Sequence, residues 1–351
     1  MDKSINSMNT SYSNPKITVL MSVFNGEKFL KEAIESILHQ TYDNFEFMII
    51  NDGSIDSSKN IILSYSDQRI RLVNNGKNIG LIASLNNGFA LARGEYIARQ
   101  DADDISALNR LEEQINFFEK NKNIGLVGTN FIKINEIGEE VQRMQLPQKS
   151  EDLRKELLMT NQFAHGSVMF KKECLEKTGL YREEFKHCED YDLWLRFSQH
   201  YDLANIQEYL YKWRLVQISI SSKQNYFQKK ATLFAIQMHK ERLLFGQDQI
   251  QKGLLNKEDV HKLILSSKDE QDETVYKIKV LRCGALRYLI NNDSKNSRKC
   301  YWEAFKLKKF RIKTFILIIF SFLKPFCPKS LFRFLLETNE TLLSKIEKNN
   351  E

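Results

Sequence analysis

Between Ile17 and Gln100, short apolar runs alternate with stretches of helical period, and that alternation leaves few folds open. Ile17 to Phe24 carries Ile17, Val19, Leu20, Met21 and Val23 and reads as a buried strand. Asn25-Gly26 turns the chain. Phe29, Leu30, Ala33, Ile34, Ile37 and Leu38 then fall on one stripe of a helix over Glu27 to Gln40. Phe45 to Ile50 is a second strand, ending in Asn51-Asp52-Gly53-Ser54, and Ser57 to Ser66 is a second helix. Arg69 to Val73 is a third strand, Leu81 to Ala92 a third helix entered through Asn78-Ile79-Gly80, and Tyr96 to Gln100 a fourth strand. The pattern predicts an α/β fold: a parallel sheet with helices on both faces. Polar side chains follow each strand: Ser22 and Asn25, then Asp52, then Asn78, then Asp101 and Asp103. In a doubly wound sheet such turns converge on one edge, where ligands bind.

The fourth strand runs into Asp101-Ala102-Asp103-Asp104. Carboxylates are poor strand material. Asp101 and Asp103 are two apart, so on extended backbone their side chains start on one face. Two such oxygen donors repel unless a cation lies between them, and Mg²⁺ or Mn²⁺ held by one or two carboxylates plus substrate phosphates suits the pair. A lone Asp-x-Asp is more commonly a solvated acidic turn, and it is the convergence with the other strand ends that lifts this one above that. The first strand is followed by neither GxGxxG nor GxxxxGK[ST], so neither a dinucleotide site nor a P-loop is supported.

A chain of 351 residues exceeds what a single core usually fills, so two structural units are expected. The net charge of +7 suits a nucleotide or an anionic surface, and no nucleic-acid motif accompanies it. Cys174, Cys188, Cys283, Cys300 and Cys327 show no metal-type spacing, which points to buried thiols in a reducing compartment. Residues 1–15 read as a flexible polar tail without the apolar core of a signal peptide, and no apolar run reaches the ~20 residues of a membrane span.

Beyond the carboxylates the pattern predicts a helix over Asn109 to Asn121, a strand over Ile124 to Asn135, a turn at Glu136-Ile137-Gly138-Glu139 and a helix over Glu151 to Thr160. His165-Gly166-Ser167-Val168-Met169-Phe170 leads into a helix over Lys171 to Lys177. His187-Cys188-Glu189-Asp190 opens a helix carrying Tyr191, Leu193, Trp194, Leu195 and Phe197. Two carboxylates at a helix start either cap it and complement its dipole or, beside a metal-type site, include a general base.

Val19-Leu20-Met21-Ser22-Val23-Phe24-Asn25-Gly26, Ser36-Ile37-Leu38-His39-Gln40-Thr41-Tyr42 and Ile49-Ile50-Asn51-Asp52-Gly53-Ser54 resemble the opening of family 2 glycosyltransferases. Asn78-Ile79-Gly80, Gly94-Glu95-Tyr96-Ile97 and Asp101-Ala102-Asp103-Asp104 resemble the middle, and Glu189-Asp190-Tyr191-Asp192-Leu193-Trp194-Leu195 the acceptor-side motif. The resemblance runs from about Lys16 to Ser222. It implies a GT-A fold over residues 16–222, with a nucleotide-sugar half (16–104) and an acceptor half (105–222), and inversion by single displacement. By that similarity Ser22 and Asp52 hold a uridine, and Asn25 and Asn78 lie on the same donor-binding edge. Asp101 and Asp103 form the metal pair with Asp103 the direct ligand, and Asp190 is the base with Glu189 orienting it. His165 and Trp194 are implied acceptor contacts, each weighed against a scaffold or core role. Arg214, in Tyr211-Lys212-Trp213-Arg214, matches a flexible segment that reaches the pyrophosphate in relatives. The QxxRW motif of processive synthases is missing, which implies one sugar per encounter.

Residues 223–351 read as a helical region, with helices over Phe227 to Phe245 and Val275 to Leu289. Between Tyr301 and Leu335 there are eight Lys or Arg and one acid, around the apolar run Phe315 to Leu323, which Pro325 and Pro328 follow. Such a run suits the interface of an anionic cytoplasmic leaflet, the alternative being a helix packed on the catalytic domain or a homodimer contact. The expected protein is therefore a cytoplasmic, peripherally membrane-bound glycosyltransferase using a UDP-linked donor and a polyprenyl-linked glycan acceptor, without nucleic acid. A sugar-nucleotide pyrophosphorylase would want a basic glycine-rich loop where Ser22 to Glu27 stand. A degenerate binding partner would not keep Asp52, Asp101, Asp103 and Asp190.

Overall fold

The computed structural model of the protein describes residues 14–216, 225–265, 281, 285 and 294–307. The chain divides into two compact units, Met1–Gln228 and Lys229–Glu351. In the first, the order is β1 (Ile17–Val23), α1 (Glu27–Leu38), β2 (Phe45–Asn51), α2 (Ser58–Leu63), β3 (Ile70–Asn74), α3 (Leu81–Leu91), β4 (Tyr96–Asp101) and β5 (Ile105–Ser106). It continues with α4 (Arg110–Lys120), β6 (Ile124–Ile134), β7 (Glu140–Met144), α5 (Ser150–Glu156), β8 (Met169–Lys171), α6 (Cys174–Thr178), α7 (Glu189–Phe197) and β9 (Asp202–Arg214).

One nine-stranded sheet takes the order β3-β2-β1-β4-β8-β6-β9-β5, with β7 paired to β6. The first four strands are parallel, as the alternation predicts, but the whole sheet is mixed. β8 enters antiparallel to both β4 and β6, and β6 pairs in parallel with β9. β1 shows how the sheet is covered on both faces. Ile17, Val19, Met21 and Val23 pack in one cluster with Leu30, Ala33, Ile34 and Ile37 of α1 and Leu111, Ile115 and Phe118 of α4. Leu20 points the other way, where a Cβ added to Gly88 of α3 would meet its methyl at 2.5 Å. Fully burying each such side chain contributes ~1.5–3 kcal/mol, so this two-sided core explains why the strands read as continuous apolar runs.

Three expectations need correction. Lys171 ends strand β8 and the helix starts only at Cys174, because Met169 and Phe170 complete ladders to Ala98 and Ile97. The helix over Glu151 to Thr160 stops at Glu156. Tyr211 to Arg214 is not a flexible segment but the end of the 13-residue strand β9, which closes the sheet against β6 and β5.

Helix α7 is held in place by charge inside the core. Asp192, fully buried, takes an ion pair from Arg182 and another from Arg196 at 2.9 Å. Removing one member leaves the others charged and uncompensated, so Asp192→Ala is expected to cost ~3–5 kcal/mol of unfolding free energy. Chemical denaturation checks this, and an unchanged midpoint would show that the pairs carry no stability.

In the second unit the described helices are α8 (Asn225–Phe245), inside which the division falls, α9 (Lys257–Leu265) and α10 (Ser294–Leu307). The expected helix over Val275 to Leu289, apart from Leu281 and Ala285, and the apolar run Phe315 to Leu323 lie outside the described residues, as does the tail up to Ser13. Among the described residues no helix is long and apolar enough to cross a membrane.

Candidate active site

The ends of β1, β2 and β3 are pinned together by the turns that follow them. Asn25, with φ +51°, receives the Ile55 N–H on its side-chain oxygen at 2.9 Å and donates its own N–H to Ser54 Oγ at 3.0 Å. Asp52 is 2% exposed. Its Oδ1 accepts from Asn75 Nδ2 and the Ile79 N–H, and its Oδ2 from the Gly80 N–H, each at 2.9 Å. Gly80 has φ +89°, a left-handed conformation that favours glycine, and this lets its N–H turn toward Asp52 as α3 begins. The same Gly80 N–H also donates to Asn78 Oδ1 at 3.0 Å. Asp52 and Asn25 therefore build the edge of the cleft, and their side-chain oxygens are engaged by the chain itself. Ser22 is half-buried and stands opposite Asp101 in the β1–β4 register. Asp52→Ala is expected to lower stability by ~1–3 kcal/mol through the orphaned N–H groups at Ile79 and Gly80. Hydrogen exchange at those two amides reads the loss, and unchanged protection would refute the clamp.

At the end of β4, Asp101 accepts from Arg99 Nη2 at 2.8 Å. Burial, with the Asp101 charge beside it, pushes the Asp103 carboxyl up to about 6. Asp104 is buried, takes the Arg214 N–H on Oδ1 at 2.7 Å and is also raised by burial. Arg214 is 3% exposed, and its guanidinium reaches the Asp103 carbonyl at 2.8 Å, the Asn135 and Glu136 carbonyls, and Glu32 at 2.5 Å. The expectation that Arg214 reaches a pyrophosphate is thus replaced by a structural role: it staples the carboxylate turn to α1 and β6.

The acceptor-side residues come to the same edge because β8 runs backwards. The chain that leads into β8 lies beside the carboxyl end of β4, and the Arg99 N–H donates to the Val168 carbonyl at 2.8 Å. A Cβ on Gly166 would fall 1.8 Å from the Tyr211 hydroxyl and 2.9 Å from Asp101 Oδ2, so only glycine fits. His165 Nε2 lies 2.8 Å from the Tyr181 hydroxyl and 3.4 Å from Arg99 Nε. The Tyr181 hydroxyl, raised by burial, sits within electrostatic reach of Arg99, Asp190, Glu189 and Asp101 together. His165 likewise feels Arg99, Asp101 and Asp190. Asp101 from one acidic pair and Glu189 and Asp190 from the other therefore act on one His165–Tyr181 contact.

At the start of α7, His187 takes φ +69° to turn the chain inward. Asp190 is half-buried; its Oδ1 receives the Tyr191 N–H at 2.7 Å and its Oδ2 the Asn161 side-chain N–H at 2.8 Å. Glu189 is 7% exposed, its Oε2 has no partner, and burial, then the Asp190 charge, pushes its carboxyl up to about 7.

Trp194 takes the core role rather than an exposed one: it is fully buried, packed among Phe163, His165, Phe170, Tyr181 and Phe197. Trp194→Phe is expected to lower the melting temperature while leaving substrate KM values unchanged; a raised KM with unchanged stability would restore the stacking role. Sequence reasoning missed Arg99, Tyr181, Asn161 and Arg110. Arg99 stands in mid-strand, and a charge at a core position must be paired. Arg110, fully buried, bonds Gln100, Ser106, Gln114 and the Arg99 carbonyl, bracing β4 from behind.

A half-parallel, half-mixed sheet with paired carboxylates at a strand end and a second acidic pair at the start of α7 has the GT-A fold of glycosyltransferases. The Glycosyl transferase family 2 model matches residues 18–179. EpsE of Bacillus subtilis (strain 168) is 39% identical over 208 residues, 58% of this chain and 74% of that protein. The amylovoran biosynthesis glycosyltransferase AmsE of Erwinia amylovora is 30% identical over 228 residues, 63% of this chain and 85% of that one. The O-antigen biosynthesis glycosyltransferase WbnJ of Escherichia coli is 36% identical over 184 residues, 51% of this chain and 70% of that one. S. aureus TarS 1–349, solved in complex with UDP-GlcNAc, shares the fold with TM-score 0.56 at 14% identity, over 82% of this chain and 90% of that one. The chain belongs to glycosyltransferase family 2.

Among the described residues no group of three or more His, Cys, Asp or Glu side chains is placed to hold a metal unaided. Asp101 and Asp103 still fit a shared divalent ion. They are two hard oxygen donors, one of which burial and then the other's charge push up to about 6, a penalty on its ionised form that a cation relieves.

Proposed function

We propose that the protein is an inverting, metal-assisted glycosyltransferase. It moves one sugar from a UDP-linked donor to a hydroxyl of a glycan acceptor in cell-surface polysaccharide assembly. The observation that supports this reading is that the His165–Tyr181 contact feels the charge of Asp101 from the end of β4 and that of Glu189 and Asp190 from the start of α7. The polysaccharide context follows the names of AmsE and WbnJ.

Asp101 and Asp103 would hold Mg²⁺ or Mn²⁺ against the donor's diphosphate. When bound, the ion supplies positive charge where the leaving group gains negative charge, with no acid needed. Arg214 and Arg99 keep the two carboxylates in place, one through the Asp103 carbonyl and the other through the Asp101 side chain. Ser22 lines the donor edge that Asn25, Asp52 and Asn78 shape. Asp190 takes the acceptor hydroxyl's proton on a carboxylate oriented by Asn161 and by the first turn of α7. Glu189, buried at the same helix start, helps to orient Asp190 or the acceptor. Attack opposite the leaving group inverts the anomeric centre.

The acceptor is proposed to be lipid-linked, with residues 301–335 resting on the cytoplasmic membrane face, on the strength of their basic flanks and apolar run. The test of the function is a donor panel of UDP-, GDP- and dTDP-sugars with Mn²⁺, read as nucleoside diphosphate release. Release from a UDP-sugar that stops with EDTA is the expected result; release from no nucleotide sugar would overturn the reading.

A further inference from the structure

Arg99 is fully buried, and its guanidinium donates to the Leu20 carbonyl, to the Gln100 carbonyl at 3.2 Å, to Asp101 Oδ1 at 2.8 Å and to His165 Nε2 at 3.4 Å. A guanidinium has no acceptor, so the ring nitrogen facing it carries the lone pair. The Tyr181 hydroxyl, 2.8 Å from the same nitrogen, donates to it as well. An imidazole whose Nε2 accepts is neutral and carries its proton on Nδ1. Among the described residues Nδ1 has no partner and is not a buried orphan, so its hydrogen is open to water or a ligand.

The ring stands within reach of both the Asp101 and the Asp190 charges. On the glycosyltransferase reading above, on which this inference rests, the transferred sugar lies between those two. We propose that His165 is a sugar-reading residue: a neutral imidazole, locked by Arg99 and Tyr181, that donates Nδ1–H to an oxygen of the transferred sugar. A second positive charge beside Arg99 would be repelled, whereas a neutral donor reads the sugar without competing for the diphosphate or for Asp190. Arg99 and Tyr181 act through His165 and are positioning residues.

The lock is read without any ligand. In ¹⁵N-histidine-labelled full-length protein at neutral pH, the His165 signals, assigned by their loss in His165→Gln, are expected to show Nδ1 protonated and Nε2 bare. Tyr181→Phe is expected to mix the two tautomers. A protonated Nε2 or an imidazolium would overturn the lock. The contact is read by two substitutions with UDP-glucose and UDP-N-acetylglucosamine as probes. An Asn side chain places its N–H near Nδ1, and a Gln places its own near Nε2. His165→Gln is expected to raise donor KM about tenfold, the worth of one lost hydrogen bond, and His165→Asn to raise it less. Affinity for UDP alone stays unchanged in both. Equal effects of Asn and Gln, or an equal loss of UDP affinity, would refute the sugar contact. Wild-type protein that binds neither UDP nor the UDP-sugars would remove the donor reading itself, and the contact with it, leaving the tautomer result intact.

Discussion

Asp103→Ala is expected to lose turnover by ~10²–10³-fold, the scale on which a single group stabilising transition-state charge is felt. The same variant is expected to lose the dependence of UDP binding on Mn²⁺ while keeping its fold. The fold survives because the turn is held elsewhere: Arg214 bonds the Asp103 carbonyl rather than its side chain, and Asp104 holds the Arg214 N–H. Removing the carboxyl also removes a destabilising group, since burial and Asp101 hold it up to about 6. Calorimetric titration of UDP with and without Mn²⁺, alongside a melting curve, checks both halves. An active Asp103→Ala enzyme that ignores EDTA would sink the metal assignment.

Asp190→Asn is expected to bind donor and metal normally and to transfer sugar ~10²–10⁴-fold more slowly, the range for loss of a general base. Asn keeps the bond to the Tyr191 N–H through its oxygen but cannot take a proton. Glu189→Gln separates the two acids by a different readout. The Glu189 carboxyl is raised from 4.5 to about 7 in the folded protein. Its contribution to stability is therefore fully present below its unfolded pKa and is lost as pH rises through the folded one. Gln is never charged, so Glu189→Gln is expected to melt higher than wild type near about pH 8, with the gap closing near about pH 4. A large kcat loss in Glu189→Gln with little in Asp190→Asn would move the base to Glu189.

Much of this was legible from residue order. The buried parallel strands β1, β2 and β4 appear as unbroken apolar runs because both their faces are covered, and both acidic pairs stand where the chain leaves a strand or enters a helix. Other parts were hidden for physical reasons. β9 mixes buried and half-exposed positions and shifts register twice against β6 between Thr129 and Phe131, so no clean period of two survives. β8 is three residues long and is defined by its neighbours rather than by its own pattern. The partners of Trp194 and Arg214 are hidden in the sequence because composition does not show what a polar or aromatic group meets after folding. Arg99 is the reverse: a charge inside an apolar strand, whose counter-charge is two residues away and whose imidazole partner is sixty-six away.

The reversal of β8 has a consequence for how such a chain diversifies. Because β4 and the lead-in to β8 are locked in register, the stretch from the end of β6 to Asn161 is a detour whose two ends are fixed. The turn at Ile137 and Gly138, where Ile137 is 79% exposed and Gly138 has open space around it, hangs from that detour on a two-stranded ribbon. Residues added or exchanged there leave the distance between the two acidic pairs untouched. A lineage is therefore free to lengthen or exchange this turn while the strand ends that carry the carboxylates are inherited unaltered.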